Sequence, residues 1–372
     1  MKSIQIETSE RPSEEWDRYA VSHAEVRLGH AAAWAPILAE AYGFSPRYLI
    51  ARDSEGRLRG ILPMVLFRGL PGRPGRLLSL PFHDAAGVLA DDGEIASRLI
   101  AEALQIARSE RLEGVELRQA SAAAPEDSPD GDPGGRGKDG SDEDRPDGIA
   151  GSGTDRVNLV LPLAGDAEQQ WQSLRAKVRN QARKAERSGL TLAGESEDGL
   201  LDGFYGPFCV NMRDLGSPVH TRRFFESAAR RFGDDLRFIV TRDGDRSVGG
   251  LVAIRFGQRV WVPWASTLRS ERSRCPNNQI YWEAMRWGIA TGATAFDFGR
   301  SPRESGTYRF KKGWGATEEA LQWVLHRPDG AVETAKASSS SRVLEALSQG
   351  WTRLPVPLAT ILGGRIRRYF AN

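Results

Sequence analysis

The sequence contains the same succession of elements twice, and this repetition restricts the fold more than any other feature. Residues 47–53, RYLIARD, are followed by a turn and then by residues 60–67, GILPMVLF. Residues 237–243, RFIVTRD, are followed by a turn and then by residues 250–256, GLVAIRF. Each pair predicts a β-hairpin with a glycine-containing turn, because two apolar runs flank a short polar segment.

The elements that follow the two hairpins also match. A helix is predicted over residues 95–108 and another over 279–291, and each precedes a short strand, GVELR at 114–118 and AFDFG at 295–299. Each half is thus predicted to run helix, antiparallel strands, helix, strand, which is typical of an α/β unit duplicated in tandem. We therefore predict an α/β (α+β) fold of two similar domains, with mixed and mainly antiparallel sheets flanked by helices.

A segment rich in Pro, Gly, Ser and Asp, residues 121–155, separates the two halves. It has no aromatic residues and cannot bury enough apolar surface to offset the entropy of ordering, so we predict a disordered acidic linker. We place an N-terminal domain at 1–120, a C-terminal domain at 156–335 and a tail at 336–372. The tail contains an amphipathic basic helix, predicted over 358–370, that either rests on an anionic membrane surface or docks onto the protein's own core.

Apolar periodicity predicts further elements in the C-terminal domain. The predicted helices cover 167–188, 200–212 and 221–232, and the predicted strands cover 236–242, 248–256, 259–265 and 321–326. A helix is expected to start near Asn277 or Asn278, because asparagine is a good N-cap.

Composition limits the class of function. The 372 residues carry a formal net charge of +2, so bulk charge does not indicate a nucleic-acid or membrane partner. The two cysteines, Cys209 and Cys275, provide neither a disulfide framework nor a metal-ligand spacing, and we expect no metal. The N-terminus has no signal-peptide pattern and no apolar run approaches about 18 residues, so we expect a cytoplasmic protein.

Basic residues crowd the helix predicted over 167–188. Lys177, Arg179 and Arg183 recur at helical spacing and could present positive charge to one wall of a cleft. We interpret them either as a solvated helix face or as a patch for a phosphate-bearing ligand, such as a tRNA end or a nucleotide diphosphate.

Two residues are candidates for acid–base chemistry. His220, in a Gly- and Pro-containing loop, is either a base or a cap or surface residue. Asp297, at the end of a predicted strand, could orient an amine or accept its proton, or could hold Arg300 or Arg303 in a structural ion pair.

The segment 305–315 contains Lys311 and Lys312 between aromatic residues. A cation at this place could stabilise a tetrahedral oxyanion or clamp a phosphate.

These segments together resemble the FemAB family. The matching motifs are LGSPVH at 215–220, CPNNQIYWEAMRWG at 275–288, FDFGRS at 296–301 and YRFKKGWG at 308–315. FemAB proteins are tandem GNAT-fold transferases that resemble the peptidoglycan interpeptide-bridge enzymes. The order and spacing of the motifs are similar to those of the subgroup associated with exosortase and PEP-CTERM loci.

The resemblance implies two GNAT-like domains and the transfer of an activated acyl or aminoacyl group to an amine. It also implies that Phe310 and Lys311 match a Phe-Lys pair whose lysine lies at the reacting centre of the bridge enzymes. Lys311 is therefore the first candidate for stabilising transition-state charge, and Asp297 and Tyr308 are further catalytic candidates. Replacing Lys311 by Ala is expected to abolish transfer and to leave the melting temperature nearly unchanged. The expected substrate-binding residues are Lys177, Arg179, Arg183, His220, Asn278, Arg300, Phe310 and Trp314.

The sequence departs from its relatives in two respects. There is no room for the two-helix arm of some bridge enzymes, and the Gly-rich acetyl-CoA loop of ordinary GNAT enzymes is missing. Three functions therefore stay open. They are an acyl- or aminoacyltransferase acting on a cell-envelope or exopolysaccharide precursor, an N-acyltransferase using acyl-CoA or acyl-carrier protein, and a non-catalytic binding protein of a polysaccharide-synthesis system.

The expected cofactors and partners follow from these alternatives. We expect no bound cofactor, with aminoacyl-tRNA or acyl-CoA/acyl-carrier protein as the co-substrate. The expected partners are an anionic cell-envelope or polysaccharide precursor, the acceptor end of a tRNA and the inner face of the plasma membrane, contacted peripherally.

Overall fold

A computed structural model of the protein describes residues 4–122, 156–194, 197–334 and 348–371. In the first half the helices are α1 (Trp16–Val21), α2 (Trp34–Tyr42) and α3 (Gly93–Ser109). The strands of this half are β1 (Gln5–Ser9), β2 (Ser45–Pro46), β3 (Tyr48–Arg52), β4 (Leu58–Leu62), β5 (Val65–Phe67), β6 (Arg76–Leu78), β7 (Leu89–Ala90) and β8 (Val115–Ala122).

The second half follows the same plan with longer elements. Its helices are α4 (Ala167–Ser173), α5 (Ala176–Arg187), α6 (Leu200–Asp214), α7 (Arg222–Phe232), α8 (Pro276–Ala290) and α9 (Gly306–Gly313), and helix α10 (Val356–Ile366) lies in the tail. Its strands are β9 (Arg156–Pro162), β10 (Leu190–Leu192), β11 (Leu236–Asp243), β12 (Arg246–Phe256), β13 (Arg259–Thr267), β14 (Ala295–Pro302), β15 (Thr317–His326) and β16 (Val332–Thr334). No helix in the described ranges is long and apolar enough to cross a membrane.

The predicted duplication is visible in the strand pairing. In each half a hairpin pairs antiparallel, β3 with β4 and β11 with β12. In each half a helix then leads to a strand that pairs parallel with an earlier one: α3 leads to β8, which pairs with β6, and α8 leads to β14, which pairs with β13. The predicted tandem α/β fold, with mixed and mainly antiparallel sheets flanked by helices, is confirmed.

The two halves share one sheet. The strand order in this sheet is β10-β11-β12-β13-β14-β9-β15-β8-β6-β5-β2, and a smaller sheet of the first half has the order β1-β3-β4-β7. Strand β15 lies at the junction, since Glu319 pairs with Asn158 of β9 and Trp323 pairs with Arg118 of β8. The end of the chain's second half is therefore built against the last strand of the first.

Aromatic side chains pack the two halves together beside this sheet. The ring of Trp34, in α2, lies 6.1 Å from that of Phe224, in α7, and 6.3 Å from that of Trp264, in β13. Trp34 and Phe224 are fully buried. Burial of a large apolar side chain stabilises a fold by roughly 1.5–3 kcal/mol, so these contacts fix the position of one half on the other.

Two predicted elements are divided in the structure. The helix predicted over 167–188 is interrupted at Leu174, which is buried in an extended conformation between α4 and α5. The strand predicted over 60–67 is interrupted at Pro63, which separates β4 from β5 because proline cannot donate a backbone hydrogen bond.

The start of α8 also differs from the prediction. The helix begins at Pro276, and the residue before it is Cys275 in the left-handed region with φ 60°. Asn278 lies inside the first turn and is buried, so it is not the N-cap. Strand β9 has no counterpart among the predicted strands.

Two predicted segments lie largely outside the described residues. The acidic linker predicted at 121–155 is described only at residues 121–122, which end β8. The start of the predicted tail, residues 336–347, is likewise outside the described ranges.

Candidate functional site

A cavity of about 330 Å³ lies at the junction of the two halves. The first half contributes residues 27–29 and 82–85 to its wall, β13 contributes 262–265, and β14 contributes 297–301. Arg367, from the C-terminal tail, completes the wall. The cavity is therefore built from segments that are far apart in the sequence.

The cavity opens where two parallel strands separate. Strands β13 and β14 pair at only three positions, the last of which joins Trp261 to Asp297. Beyond that point the next residues of both strands line the cavity. Strand β14 also changes register with β9 between Asp297 and Arg300. Gly299, within this bulge, has φ 73°, a conformation that glycine adopts without steric cost.

Side chains hold the backbone of the bulge in place. The N–H of Gly299 donates to Oδ1 of Asp297 at 2.7 Å. The Nζ of Lys311 donates to the carbonyl oxygen of Gly299 at 3.0 Å and to that of Arg300 at 2.8 Å. Asp297 and Lys311, two of the three candidate catalytic residues, therefore contact the segment where the strands separate.

Asp297 is buried, with 1% of its surface exposed. Its Oδ2 accepts a hydrogen bond from Nδ2 of Asn158 at 2.7 Å and one from Nη1 of Arg259 at 3.3 Å. Burial raises the pKa of this carboxyl to about 6, against the lowering effect of Arg259 and Asn158 and with a smaller raising effect from Glu319. A carboxyl with this pKa exchanges a proton close to neutral pH.

A balanced set of charges surrounds Asp297. Arg259 also contacts Glu319, with 3.3 Å between Nη2 and Oε1, and Nη2 of Arg27 lies 3.4 Å from Oε2 of Glu319. Two carboxylates thus face two guanidinium groups, which reduces the cost of burying the charges. This arrangement fixes Asp297 in one orientation toward the cavity.

Lys311 reaches the cavity from helix α9. Ser305 caps the helix by accepting a hydrogen bond from the N–H of Tyr308 at 3.1 Å. Lys311 is 7% exposed and lines the cavity. Its ammonium group is therefore a fixed positive charge at the point where the strands separate.

His220 is fully buried between the halves and lines the cavity. Nη2 of Arg367 lies 3.3 Å from its Nε2, and its Nδ1 is 2.6 Å from Oη of Tyr42. A guanidinium group only donates, so Nε2 is the acceptor and the ring proton is assigned to Nδ1. Burial, followed by Arg367 and His83, holds the pKa of His220 well below its usual value. Both ring nitrogens are engaged, so this arrangement leaves no lone pair for a substrate proton.

Arg300 lines the cavity, and its Nε lies 3.1 Å from Oδ1 of Asp84. The carboxylate expected to pair with it, that of Asp297, instead contacts Arg259. Arg303, the other arginine that Asp297 was expected to hold in an ion pair, pairs with Glu318 instead.

The other residues of the YRFKKGWG motif lie away from the cavity. The hydroxyl of Tyr308 donates to Oε1 of Glu318 at 2.5 Å. This bond, followed by burial and the charge of Glu318, raises the pKa of Tyr308 to about 12. The rings of Phe310 and Trp314 pack in the core, where Phe310 lies 5.3 Å from Tyr281. None of these three side chains lines the cavity.

The basic residues of α5 and Asn278 are also outside the cavity wall. Nη1 of Arg179 donates to the carbonyl oxygens of Gln172 at 2.9 Å and Leu174 at 2.8 Å, at the end of α4. Lys177 and Arg183 are exposed on the outer face of the helix. Asn278 is buried, and its Nδ2 is 3.5 Å from Oε1 of Gln181, in α5. The structure therefore brings together Asp297, Arg300, Lys311 and His220, and not the other candidates.

Several residues of the site carry no local signal in the sequence. They are Arg27, His83, Asn158, Arg259, Glu319 and Arg367. Asn158 and Glu319 meet Asp297 because β9 and β15 are adjacent in the sheet, and β9 follows the long linker in sequence. Among the described residues, no group of three or more His, Cys, Asp or Glu side chains is placed to hold a metal ion.

The comparisons with known proteins agree with this architecture. Residues 172–312 match the family described as Acetyltransferase (GNAT) domain, a range that includes both separating strands, Asp297 and Lys311. No curated protein matches the sequence significantly.

Solved structures resemble the chain at low sequence identity. A crystal structure of FemX is 14% identical with a TM-score of 0.61, and the match covers 84% of this chain and 95% of that one. A conserved protein of unknown function from Bacteroides thetaiotaomicron is 11% identical with a TM-score of 0.51, covering 85% of this chain and 99% of that one. Likeness at this level shows the fold alone. The chain thus has the GNAT-like fold twice in tandem, with residues 172–312 matching a GNAT acetyltransferase domain.

Proposed function

We propose that the protein transfers an acyl group from an activated donor to an amine inside the cavity between its halves. One observation carries the proposal: a buried carboxyl with a pKa raised to about 6, that of Asp297, lines the cavity at the last paired position of β13 and β14. Perturbed carboxyls in clefts mark sites of proton transfer more often than other positions do.

The proposed chemistry assigns one role to each of two side chains. The amine attacks the carbonyl carbon of the donor, and the carboxylate of Asp297 takes the proton that the amine loses. The oxygen of the attacked carbonyl gains negative charge in the tetrahedral intermediate, and the ammonium of Lys311 supplies a fixed positive charge in the same cavity. The intermediate then expels the leaving group, which takes up a proton.

The donor that we propose is an acyl thioester of coenzyme A or acyl-carrier protein. The separated stretches of β13 and β14 are extended backbone segments that line the cavity. Such segments can hydrogen-bond an amide-containing chain as an added strand, and the pantetheine arm of these donors is one. The match to an acetyltransferase domain over residues 172–312 supports the same donor class.

An aminoacyl-tRNA donor is the second candidate. The exposed basic face of α5, which includes Lys177 and Arg183, is the surface that favours it. A patch of this kind binds phosphates without sequence preference and with strong salt dependence. An activity assay with each donor in turn distinguishes the two candidates.

The acceptor that we propose is an amine on an anionic cell-envelope or polysaccharide precursor. Among the side chains that line the cavity, the basic groups are Arg27, Arg300, Lys311 and Arg367, and the carboxylates are Asp84 and Asp297. This excess of positive charge favours a negatively charged substrate.

A peripheral contact with the inner face of the membrane belongs to the same proposal. Leu358 and Ile361 are exposed on α10, 44% and 56% respectively. Their separation of three positions puts them on one side of the helix, where they could touch a lipid surface.

Substitution of Asp297 by Asn tests the proposed function. The purified protein is incubated with an acyl-CoA or an aminoacyl-tRNA and a panel of amino sugars and their nucleotide derivatives, and acylated products are measured by mass spectrometry. We expect product from a thioester donor and a loss of about 10²–10⁴-fold in kcat/KM for Asp297→Asn. The matched control is Glu318→Gln, which changes a carboxylate outside the cavity wall.

The outcomes separate the alternatives. If product forms with aminoacyl-tRNA and not with a thioester, the donor is aminoacyl-tRNA. If Asp297→Asn keeps full activity, Asp297 does not accept the proton of the amine. Failure of every donor to give product contradicts acyl transfer.

A further inference from the structure

The guanidinium group of Arg367 lies in the cavity wall and has no carboxylate partner among the residues that the structure describes. Arg367 is 8% exposed, and its contacts are with His220, 3.3 Å from Nη2 to Nε2, and with the ring of Phe82, whose centroid is 4.6 Å from Cζ. Its Nε has no acceptor among the described residues. Arg367 is thus a buried cation held by an aromatic face and a neutral imidazole.

The other buried arginines of the described ranges, Arg27 and Arg118, each have a carboxylate partner. Nη2 of Arg27 is 3.4 Å from Oε2 of Glu319, and Nε of Arg118 is 3.0 Å from Oε1 of Glu116. Charged groups in protein interiors are normally paired, because an unpaired buried charge is costly. Burial lowers the pKa of Arg367 to about 10, Tyr42 partly offsets this, and Arg300, another cation of the cavity wall, lowers it further.

Further buried polar atoms of the cavity wall have no partner within the described part of the chain. These are Nε of Arg27, Nε2 of His83, Nε1 of Trp261 and Oγ of Ser301. The side chains of His83 and Ser301 are more than nine-tenths buried. Buried hydrogen-bonding groups are satisfied in most native structures, so a set of them on one cavity wall indicates a polar ligand.

The backbone holds Arg367 firmly in this position. Gly363, one turn earlier, packs so closely that a Cβ there would lie 2.8 Å from the N of Val219. After Arg367, the carbonyl oxygen of Ala371 accepts from the N–H of Phe82 at 2.9 Å and from Nη1 of Arg118 at 3.0 Å. The tail is thus fastened on both sides of Arg367, which points its side chain into the cavity.

We propose that Arg367 binds an anionic group of the ligand, a carboxylate or a phosphate, within this cavity. The anion supplies the negative charge that the wall lacks. The planar guanidinium group can bind either a carboxylate or a phosphate through two parallel N–H···O hydrogen bonds. The assignment of this ligand as a substrate rests on the proposed acyl transfer, in which the anion would orient the substrate relative to Asp297. The binding itself does not depend on that transfer.

Binding of inorganic phosphate and of acetate to the full chain tests the proposal without any acyl donor. Each probe is titrated calorimetrically at constant ionic strength set with sodium chloride. We expect saturable binding of at least one probe and at least tenfold weaker binding by Arg367→Gln. The matched control is Arg365→Gln, an exposed arginine of α10, which should bind as the unaltered protein does. Phosphate binding indicates a phosphorylated ligand, and acetate binding a carboxylic acid.

A second measurement uses the unaltered chain and so does not depend on folding of the variant. Phenylglyoxal modifies arginine, and peptide mass spectrometry gives the rate at each position. A saturating probe should slow modification of Arg367 several-fold and leave that of Arg365 unchanged. The proposal is overturned if no saturable binding is found, or if the two variants bind the probe equally and the probe does not slow modification of Arg367. Either result leaves the loss of transfer in Asp297→Asn, and with it the proposed function, intact.

Discussion

Asp297 and Lys311 bind the two polar backbone groups of one residue: the carboxylate accepts the N–H of Gly299 and the ammonium donates to its carbonyl oxygen. The distances are 2.7 Å and 3.0 Å. Since Gly299 pairs with neither neighbouring strand, these side chains replace the missing sheet hydrogen bonds. The residues proposed for the chemistry therefore also maintain the shape of the site.

This double role changes what is expected of Lys311→Met. Loss of the ammonium leaves the carbonyl oxygens of Gly299 and Arg300 without their donor in a largely buried site. Removing a buried partner in this way costs about 1–3 kcal/mol. We therefore expect the free energy of unfolding in urea to fall by about that amount, together with the loss of transfer, whereas the sequence alone predicted an almost unchanged melting temperature. Lys312→Met is the control, expected to stay within about 0.5 kcal/mol. Equal stability of the two variants would contradict the bridging role.

The buried carboxyl of Asp297 should make stability fall as pH rises. Its pKa of about 6 in the folded protein lies above the ordinary 3.8, so the folded state binds this proton more tightly than the unfolded state does. The stabilising contribution is complete below about pH 4 and is lost as pH rises through about 6. The difference between the two pKa values corresponds to about 3 kcal/mol.

Unfolding of the native protein and of Asp297→Asn at a series of pH values measures this contribution. Relative to the variant, the free energy of unfolding of the native protein should fall by up to about 3 kcal/mol between pH 4 and pH 7. If the difference in the free energy of unfolding between the two proteins stays constant across this range, the pKa of the Asp297 carboxyl is not raised.

The same group sets the expected pH dependence of transfer. Only the ionised carboxylate can accept a proton from the amine, so kcat/KM should rise with pH and level off above about 6. Initial rates at saturating donor, between pH 5 and pH 8, give the profile. A rate that does not change in this interval would be incompatible with Asp297 as the base.

Tyr308→Phe should leave transfer within about twofold of the native value. The hydroxyl of Tyr308 bonds to Glu318 and does not line the cavity, so its loss should cost about 1 kcal/mol of stability at most. Parallel measurements of kcat/KM and urea unfolding check both statements. A large drop in kcat/KM with unchanged stability would return Tyr308 to the catalytic candidates.

Local patterns in the sequence predicted most of the fold and part of the site. Alternating apolar residues indicated β11, β12 and β13 with small errors at their ends. The motifs indicated four residues of the cavity wall: His220, Asp297, Arg300 and Lys311. Asp297 and Arg300 lie on β14 and Lys311 lies on α9, which follows β14 along the chain.

The rest of the site depends on contacts between distant segments. Asn158 and Glu319 reach Asp297 only because β9 and β15 are neighbours in the sheet, and Arg367 reaches the cavity only because the tail folds back between the halves. No periodicity within a short window encodes such pairings. The break at Leu174 was missed for a related reason, since burial of this side chain overrides the helical pattern around it.

The basic face of α5 yields the last prediction, which separates structure from binding. Arg179→Ala removes the donor that bonds the carbonyl oxygens of Gln172 and Leu174 at the end of α4. These groups lack helical partners, and a cation near a helix C-terminus also interacts favourably with its dipole. We expect a loss of about 1–2 kcal/mol in the free energy of unfolding, with kcat/KM for a thioester donor unchanged. Lys177→Ala, on the same helix and exposed, is the control and should change neither quantity. If kcat/KM instead falls for both variants with an aminoacyl-tRNA donor but not with a thioester donor, this face is the tRNA-binding surface.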